Sequence, residues 1–393
     1  MTRDGHAELL LTNVRHAATP EPDLVPGWLL IRDGRIAAVG DERAPLPPVP
    51  AGTVRIDGQG GYALPGFIDV HVHGGGGFDF MDAGPEELAA ITRFHAENGT
   101  TAMLATTVTG PREALTGVLR RVSAFMKKPM PYAQLLGVHL EGPFLNPGWK
   151  GAQNEAYMVP PQPEWLEQWM AEFPGLIRLQ TLAPEMEGAV AYIRTLVKHG
   201  IIAACGHTDA TYEQLRTAAD NGLTHAVHTF NAMRPLHHRE PGTVGAVMTD
   251  SRIAAEIIAD GEHVHPAAIR LLLQAKGTDG VILVTDAVSA AGMPDGPYEL
   301  GGLPVTLENG AARLTGSSTL AGSTLTTVKG FRYLVETVGV SVGEASRIAS
   351  LNPARQLGIA DSHGSLEPGK RADLLLLDDR LELQRVIIGG RVV

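Results

Sequence analysis

Short apolar runs crowd both ends of the chain, and a slower alternation fills the middle. Residues 9–14 and 28–31 are apolar, and 35–40 follow the turn signal Asp33-Gly34. Runs of this length between turn residues predict short strands. A proline-rich connection covers 45–50, and 63–70 starts a buried strand. Beyond it, helical stretches such as 85–98 and 212–221 alternate with apolar runs at 101–106, 135–140, 201–204, 224–227, 253–258 and 281–284. This alternation predicts a parallel sheet with crossover helices, and its span of about 290 residues suits a (β/α)8 TIM-type barrel with insertions. Strand texture then returns, with a turn at 365–369, a strand at 372–377 and a final pair within 385–393 around Gly389-Gly390. The expected architecture is α/β. Residues 63–357 form the barrel, and 1–62 with 358–393 form one small β-sandwich domain built from both chain ends.

Composition adjusts this picture little. Of 393 residues, 44% are hydrophobic and 19% charged, which is ordinary globular material. A net charge of −11 with no basic run argues against nucleic acid as a partner, while leaving room for an anionic small substrate held by a few local cations. Cys205 is the single cysteine, so no internal disulfide forms. The first residues lack a leader-like apolar stretch, and no run of about 18 apolar residues suggests a membrane span. Cytoplasmic residence is the default expectation.

The chemistry gathers where the apolar runs stop. His71-Val72-His73 follows the run at 63–70, and residues two apart in an extended segment share a face. The following glycines, 74–77, let backbone approach a ligand closely. The run at 135–140 leads into Glu141-Gly142-Pro143, the strand at 201–205 into Gly206-His207, that at 224–227 into His228, and that at 281–284 into Thr285-Asp286. Strand ends of such barrels meet at one mouth, so His71, His73, Glu141, His207, His228 and Asp286 form a candidate divalent-metal constellation. The other histidines read more plainly. His225 faces away from His228 by strand parity, His139 is a hydrogen-bonded core residue, and His95, His199, His237, His238 and His363 read as solvated.

These segments resemble the amidohydrolase superfamily and, within it, the N-acetylglucosamine-6-phosphate deacetylase family. The resemblance covers nearly the whole chain. It is carried by Pro65-Gly66-Phe67-Ile68-Asp69-Val70-His71-Val72-His73-Gly74, His139-Leu140-Glu141-Gly142-Pro143-Phe144, Gly206-His207-Thr208, His228-Thr229-Phe230-Asn231-Ala232-Met233, Arg239-Glu240-Pro241-Gly242, Asp260-Gly261-Glu262-His263, Thr285-Asp286-Ala287 and Leu320-Ala321-Gly322-Ser323. The segments around Glu141 and Asn231 are the specific ones, since two histidines around one residue occur throughout the superfamily.

The resemblance implies one or two divalent ions per subunit, zinc foremost, with iron, manganese, cobalt or nickel as alternatives. Glu141, His207 and His228 would hold one ion. His71 and His73, with Glu141 bridging and Asp286 nearby, would hold a second. It implies hydrolysis of N-acetylglucosamine-6-phosphate to glucosamine-6-phosphate and acetate, with Asp286 as general base and then acid. The alternative is another amidohydrolase activity, on N-acetylgalactosamine-6-phosphate or a cyclic amide. A catalytically dead scaffold, the third reading, would have lost ligands, and none is lost. Substrate contacts are expected from Gly142, Gln153, Asn231, Ala232, Arg239, His263, Leu320 and Gln59. A homodimer is implied, with Arg239 or His263 reaching the neighbouring subunit's substrate. One departure stands out: relatives carry a histidine where this chain has Gln153, which donates a hydrogen bond but carries no proton.

Overall fold

A computed structural model describes residues 8–17 and 23–393. Residues 1–7 and 18–22, which include most of the expected leaderless N-terminus, lie outside the described residues. Eight parallel strands follow one another around the barrel in chain order: β1 (Phe67–Asp69), β2 (Thr100–Thr107), β3 (Gln134–Glu141), β4 (Ile177–Leu182), β5 (Ile202–Cys205), β6 (Leu223–Ala226), β7 (Ala254–Ile258) and β8 (Val281–Val284). The ring closes through the segments after β8 and β1. Asp286 donates its N–H to the His71 carbonyl at 2.9 Å, and His73 and Gly74 donate to Ala287 at 2.8 and 3.0 Å.

The apolar runs are continuous because helices cover the outside of the ring while side chains fill its inside; all eight residues of β2 are buried. The helices start where their sequence provides a cap. Thr211 accepts from the Gln214 N–H at 3.2 Å, and the Gln214 side chain accepts from the Thr211 N–H at 2.9 Å, a reciprocal box that begins the helix Tyr212–Asp220. That helix buries Leu215, Ala218 and Ala219 and ends on Asn221. β4 has no counterpart among the expected runs, because Arg178, Gln180 and Thr181 interrupt its apolar pattern. Some of their polar atoms find partners inside: Tyr192 Oη donates to Gln180 Oε1 at 2.9 Å, and Thr181 Oγ1 pairs with His139 Nε2 at 2.7 Å, while Gln180 Nε2 has no hydrogen-bond partner among the described residues.

The chain ends build a second, mostly antiparallel sheet of eight strands. Its path runs Arg391–Val392, Leu383–Ile388, Leu374–Leu377, Tyr62–Pro65, Leu9–His16, Val25–Arg32 and Arg35–Asp41, with Val54–Asp57 beside Leu9–His16. The expected single strand at 63–70 is two. Tyr62–Pro65 pairs with Leu374–Leu377 in the end sheet, and β1 starts the barrel. Gly66 makes the crossing, since a Cβ there would stand 2.1 Å from Thr101 Oγ1. A three-stranded antiparallel sheet, Gly296–Leu300, Leu303–Glu308 and Ala311–Leu314, follows β8 and was not foreseen. Among the described residues no helix is long and apolar enough to cross a membrane.

His95 corrects a sequence expectation. It is fully buried rather than solvated, and its Nε2 lies 2.9 Å from the Gly74 carbonyl, pinning the glycine loop beside His73. A neutral ring donates this bond. Burial pushes its pKa from the ordinary 6.5 down to about 4, with the Gly74 contact opposing. The unfolded chain therefore takes up this proton first as pH falls, and stability is lost between about pH 6.5 and 4, by about 2 kcal/mol at pH 5. A thermal-unfolding series from pH 7 to 5 checks this. His95→Gln, whose amide can keep the bond to Gly74, is expected to flatten the fall in midpoint. An unchanged slope would remove His95 as its source.

Candidate metal centre and substrate cavity

The six expected ligand residues are all buried at the barrel mouth. Glu141, at the end of β3, is their hub. Its Oε1 lies 3.1 Å from His207 Nε2, 3.0 Å from His228 Nε2 and 3.5 Å from His71 Nε2, and its Oε2 lies 3.3 Å from His73 Nε2. Asp286 Oδ1 lies 3.1 Å from His73 Nε2 and 3.5 Å from His71 Nε2. Ligand-type atoms within 4.8 Å of one another form two overlapping groups, His71–His73–Asp286 and His71–Glu141–His228. His207, at 3.2 Å from His228, adds to the second.

Backbone conformation explains how residues beyond the strand ends turn inward. His207, His228 and Asp286 have φ of 49°, 31° and 52°. Such values are uncommon for residues with a side chain and collect at functional sites. They also defeat strand parity, which assumed an extended chain through 228.

The tautomers suit a cation. His207 Nδ1 donates to the Trp149 carbonyl at 3.0 Å, His228 Nδ1 to the Asn231 carbonyl at 3.2 Å, and His71 Nδ1 to Glu256 Oε2 at 2.8 Å. Each bond leaves the Nε2 lone pair facing Glu141. His71 Nε2 and His73 Nδ1 have no hydrogen-bond partner, although both are buried. Lone pairs gathered around a carboxylate need protons or a metal ion between them. This donor set of imidazoles and carboxylates fits a divalent ion.

The charges of the bare site point the same way. Burial alone would lower the His71 pKa, but Glu256, Glu141 and Asp286 hold it well above the ordinary value. Burial likewise opposes the shift of His73, which Asp286 and Glu141 raise to about 9. Glu141 and Asp286 are kept below the usual carboxylate range; burial opposes this, and the His71 charge outweighs it first in both. The site thus stores compensating positive charge where an ion would sit.

A cavity of about 390 Å³ opens above this floor. Its wall includes Trp149, Gln153, Asn231, Ala232, His263 and Leu320, along with Leu300 and Thr319 from the added sheet and its following loop. Gln153 is fixed at both ends: Oε1 accepts from the Thr109 N–H at 2.7 Å, so its Nε2 faces Glu141 Oε2 at 2.6 Å. His263 Nδ1 pairs with Asp260 Oδ2 at 2.7 Å; burial lowers its pKa, but Asp260 raises it above the ordinary value overall. Ala232 enters with φ of 49°.

Three expected contacts are placed elsewhere. Gln59 is exposed in the end sheet, in a separate cleft with Asp57 and Asp378, so the expected substrate contact is corrected. Gly142 is buried behind Glu141 rather than in the cavity wall, where a Cβ would meet Thr109 Oγ1 at 2.3 Å; its left-handed φ of 85° orients the neighbouring Glu141 instead. Arg239 stands on an exposed loop, 2.8 Å from His238 Nε2, outside the cavity wall of its own protomer.

Glu256 escaped the sequence reading, whereas His225, read as no ligand, is indeed a packing residue outside both ligand groups. Glu256, in β7, lies inside the barrel against His71. His225 is buried beside it with Nε2 2.7 Å from Glu256 Oε1. A glutamate inside an apolar strand was the available signal, because burial is tolerated only with donors or a cation nearby. His139 is, as expected, a hydrogen-bonded core residue, its Nδ1 3.2 Å from the Val70 carbonyl.

Residues 62–393 match the amidohydrolase family. Over 378 residues the chain is 42% identical to N-acetylgalactosamine-6-phosphate deacetylase of Escherichia coli O157:H7, covering 96% of this chain and 97% of that one. It is 40% identical to N-acetylglucosamine-6-phosphate deacetylase of Bacillus subtilis (strain 168), covering 98% and 97%. Among solved structures, N-acetyl-D-glucosamine-6-phosphate deacetylase of Mycobacterium smegmatis in complex with N-acetyl-D-glucosamine-6-phosphate superposes with a TM-score of 0.91 at 38% identity, covering 98% and 99%.

Proposed function

The chain belongs to the amidohydrolase family, and from that premise we propose that it hydrolyses N-acetylglucosamine-6-phosphate to glucosamine-6-phosphate and acetate. The observation that carries this reading is that five of the six buried ligand-type side chains, His73, Glu141, His207, His228 and Asp286, line one cavity with Asn231, Ala232 and His263, with His71 packed against them. A divalent ion held by His71, His73, Glu141, His207 and His228 would acidify a water and polarise the acetamide carbonyl. Zinc is the ion we propose; iron, manganese, cobalt and nickel also suit these ligands.

The chain's own groups move the protons and hold the sugar. Asp286, kept ionised by His71 and His73, takes one proton from the attacking water. It returns that proton to the amine nitrogen as the C–N bond breaks, which regenerates the carboxylate. Leu320 offers an apolar surface to the acetyl methyl. His263, its proton retained by Asp260, and Asn231 face the sugar phosphate. We infer a homodimer in which the exposed Arg239 reaches the neighbouring subunit's phosphate, where a guanidinium donates in pairs. The single, buried Cys205 supports a cytoplasmic setting.

The 42% identity to an N-acetylgalactosamine-6-phosphate deacetylase favours a second reading with the C4 epimer as substrate. Acetate release from both epimers, each with and without its 6-phosphate, separates the readings when metal content is measured on the same sample. No release from either phosphorylated epimer would overturn the proposal. Arg239→Ala is expected to raise KM for the phosphorylated sugar about 10- to 100-fold, the worth of a charged hydrogen bond, with kcat little changed. Equal effects on phosphorylated and unphosphorylated sugars would remove Arg239 from phosphate binding.

A further inference from the structure

Glu256 is a carboxylate inside the barrel that the proposed reaction leaves without a task. It is completely buried in β7. Its Oε2 accepts from His71 Nδ1 at 2.8 Å and from the backbone N–H of His228 at 3.1 Å, while Oε1 accepts from His225 Nε2 at 2.7 Å. The backbone N–H of Thr229 also donates to the Glu256 carbonyl, at 2.9 Å. One residue therefore grips a ligand from each half of the metal centre. It holds His71 by its ring, and it holds His228 by the backbone at the point where that backbone turns to φ 31°. His225 contributes no ring atom to the centre, and its Nδ1 has no partner. Among the described residues, its one ring hydrogen bond is the one that steadies Glu256.

We propose that Glu256, steadied by His225, is a positioning residue that fixes His71 as the Nδ1–H tautomer and so governs occupancy of the His71–His73 half of the centre. A carboxylate accepts all three of these hydrogen bonds. A glutamine would present an N–H₂ to at least one existing donor, and His71 would lose either its orientation or its tautomer. A carboxylate behind a ligating histidine is worth about 10- to 100-fold in metal affinity.

The inference rests on the metal-dependent reading above, and the test separates the two. Wild type, Glu256→Gln, Glu256→Asp and His225→Gln would be stripped and titrated with zinc, with ions per subunit and affinity recorded. The imidazole N–H resonances would be followed in protein labelled at histidine. For Glu256→Gln, the expected result is one ion retained near wild-type affinity, about 10- to 100-fold weaker binding of the second, and loss of the downfield His71 Nδ1–H signal. Glu256→Asp keeps the charge at shorter reach and should fall between, as should His225→Gln; these two decide the matter if Glu256→Gln does not fold. Wild-type stoichiometry, affinity and resonances in the variants would overturn this inference alone. A wild type that binds no ion would overturn the metal-dependent reading and this inference with it.

Discussion

Asp286→Asn is expected to lower kcat by about 10²- to 10⁴-fold, the range for removing a positioned acid–base group, while the protein still folds and still binds the amino sugar phosphate product. The substitution keeps an oxygen at the position 3.1 Å from His73 Nε2 but removes the ability to take and return a proton. Binding of product, measured by calorimetry, should change little, because His263, Asn231 and Leu320 are untouched. A variant with near-normal kcat would transfer the proton work to another group. An inactive wild type would favour the scaffold reading instead. Because Asp286 also stands within the His71–His73 group, metal content must accompany the rates, so that lost turnover is not mistaken for lost metal.

Much of this site was legible before any fold was known, because barrel topology converts strand ends into neighbours. His71, His73, Glu141, His207, His228 and Asp286 needed only the run lengths and the chain order to be placed together. The misses have physical causes. β4 hid because Gln180 and Thr181 are polar residues inside it whose partners, Tyr192 and His139, lie outside the strand. His225 was rightly read as no ligand, but its hydrogen bond to Glu256 inside the barrel went unforeseen because strand parity cannot foresee the left-handed turn at His228. His95 read as solvated because a helical histidine reveals nothing of the glycine loop packed on it. Gln59 was carried over from the resemblance onto a glycine-rich stretch, and that stretch proved to be a turn in the end sheet.

Glu141→Gln is the second large effect. Glu141 is the anion shared by His71, His73, His207 and His228. Breaking a buried charged cluster of this kind costs about 3–5 kcal/mol, or about 10²- to 10⁴-fold in affinity if spent on the ion. The new amide N–H₂ would also donate to the Nε2 lone pairs of His207 and His228 and occupy them. Metal per subunit is therefore expected to fall towards zero and acetate release with it, and the stripped variant is expected to unfold earlier than stripped wild type, because His71 and His73 lose the charge that pairs with them. Turnover that returns on adding excess zinc would mean that Glu141 tunes the ion rather than holding it.

The pairing of Tyr62–Pro65 with Leu374–Leu377 has a consequence for the newborn chain. Some three hundred residues must be translated between these partners, which at about 5–20 residues per second takes roughly 15–60 seconds. Throughout that interval Tyr62–Pro65 has Leu9–His16 on one side and no partner on the other. The strand just ahead of His71 thus gains its second neighbour only from nearly the last strands made, and a chain stalled short of residue 374 carries an open β edge that chaperones and proteases can recognise.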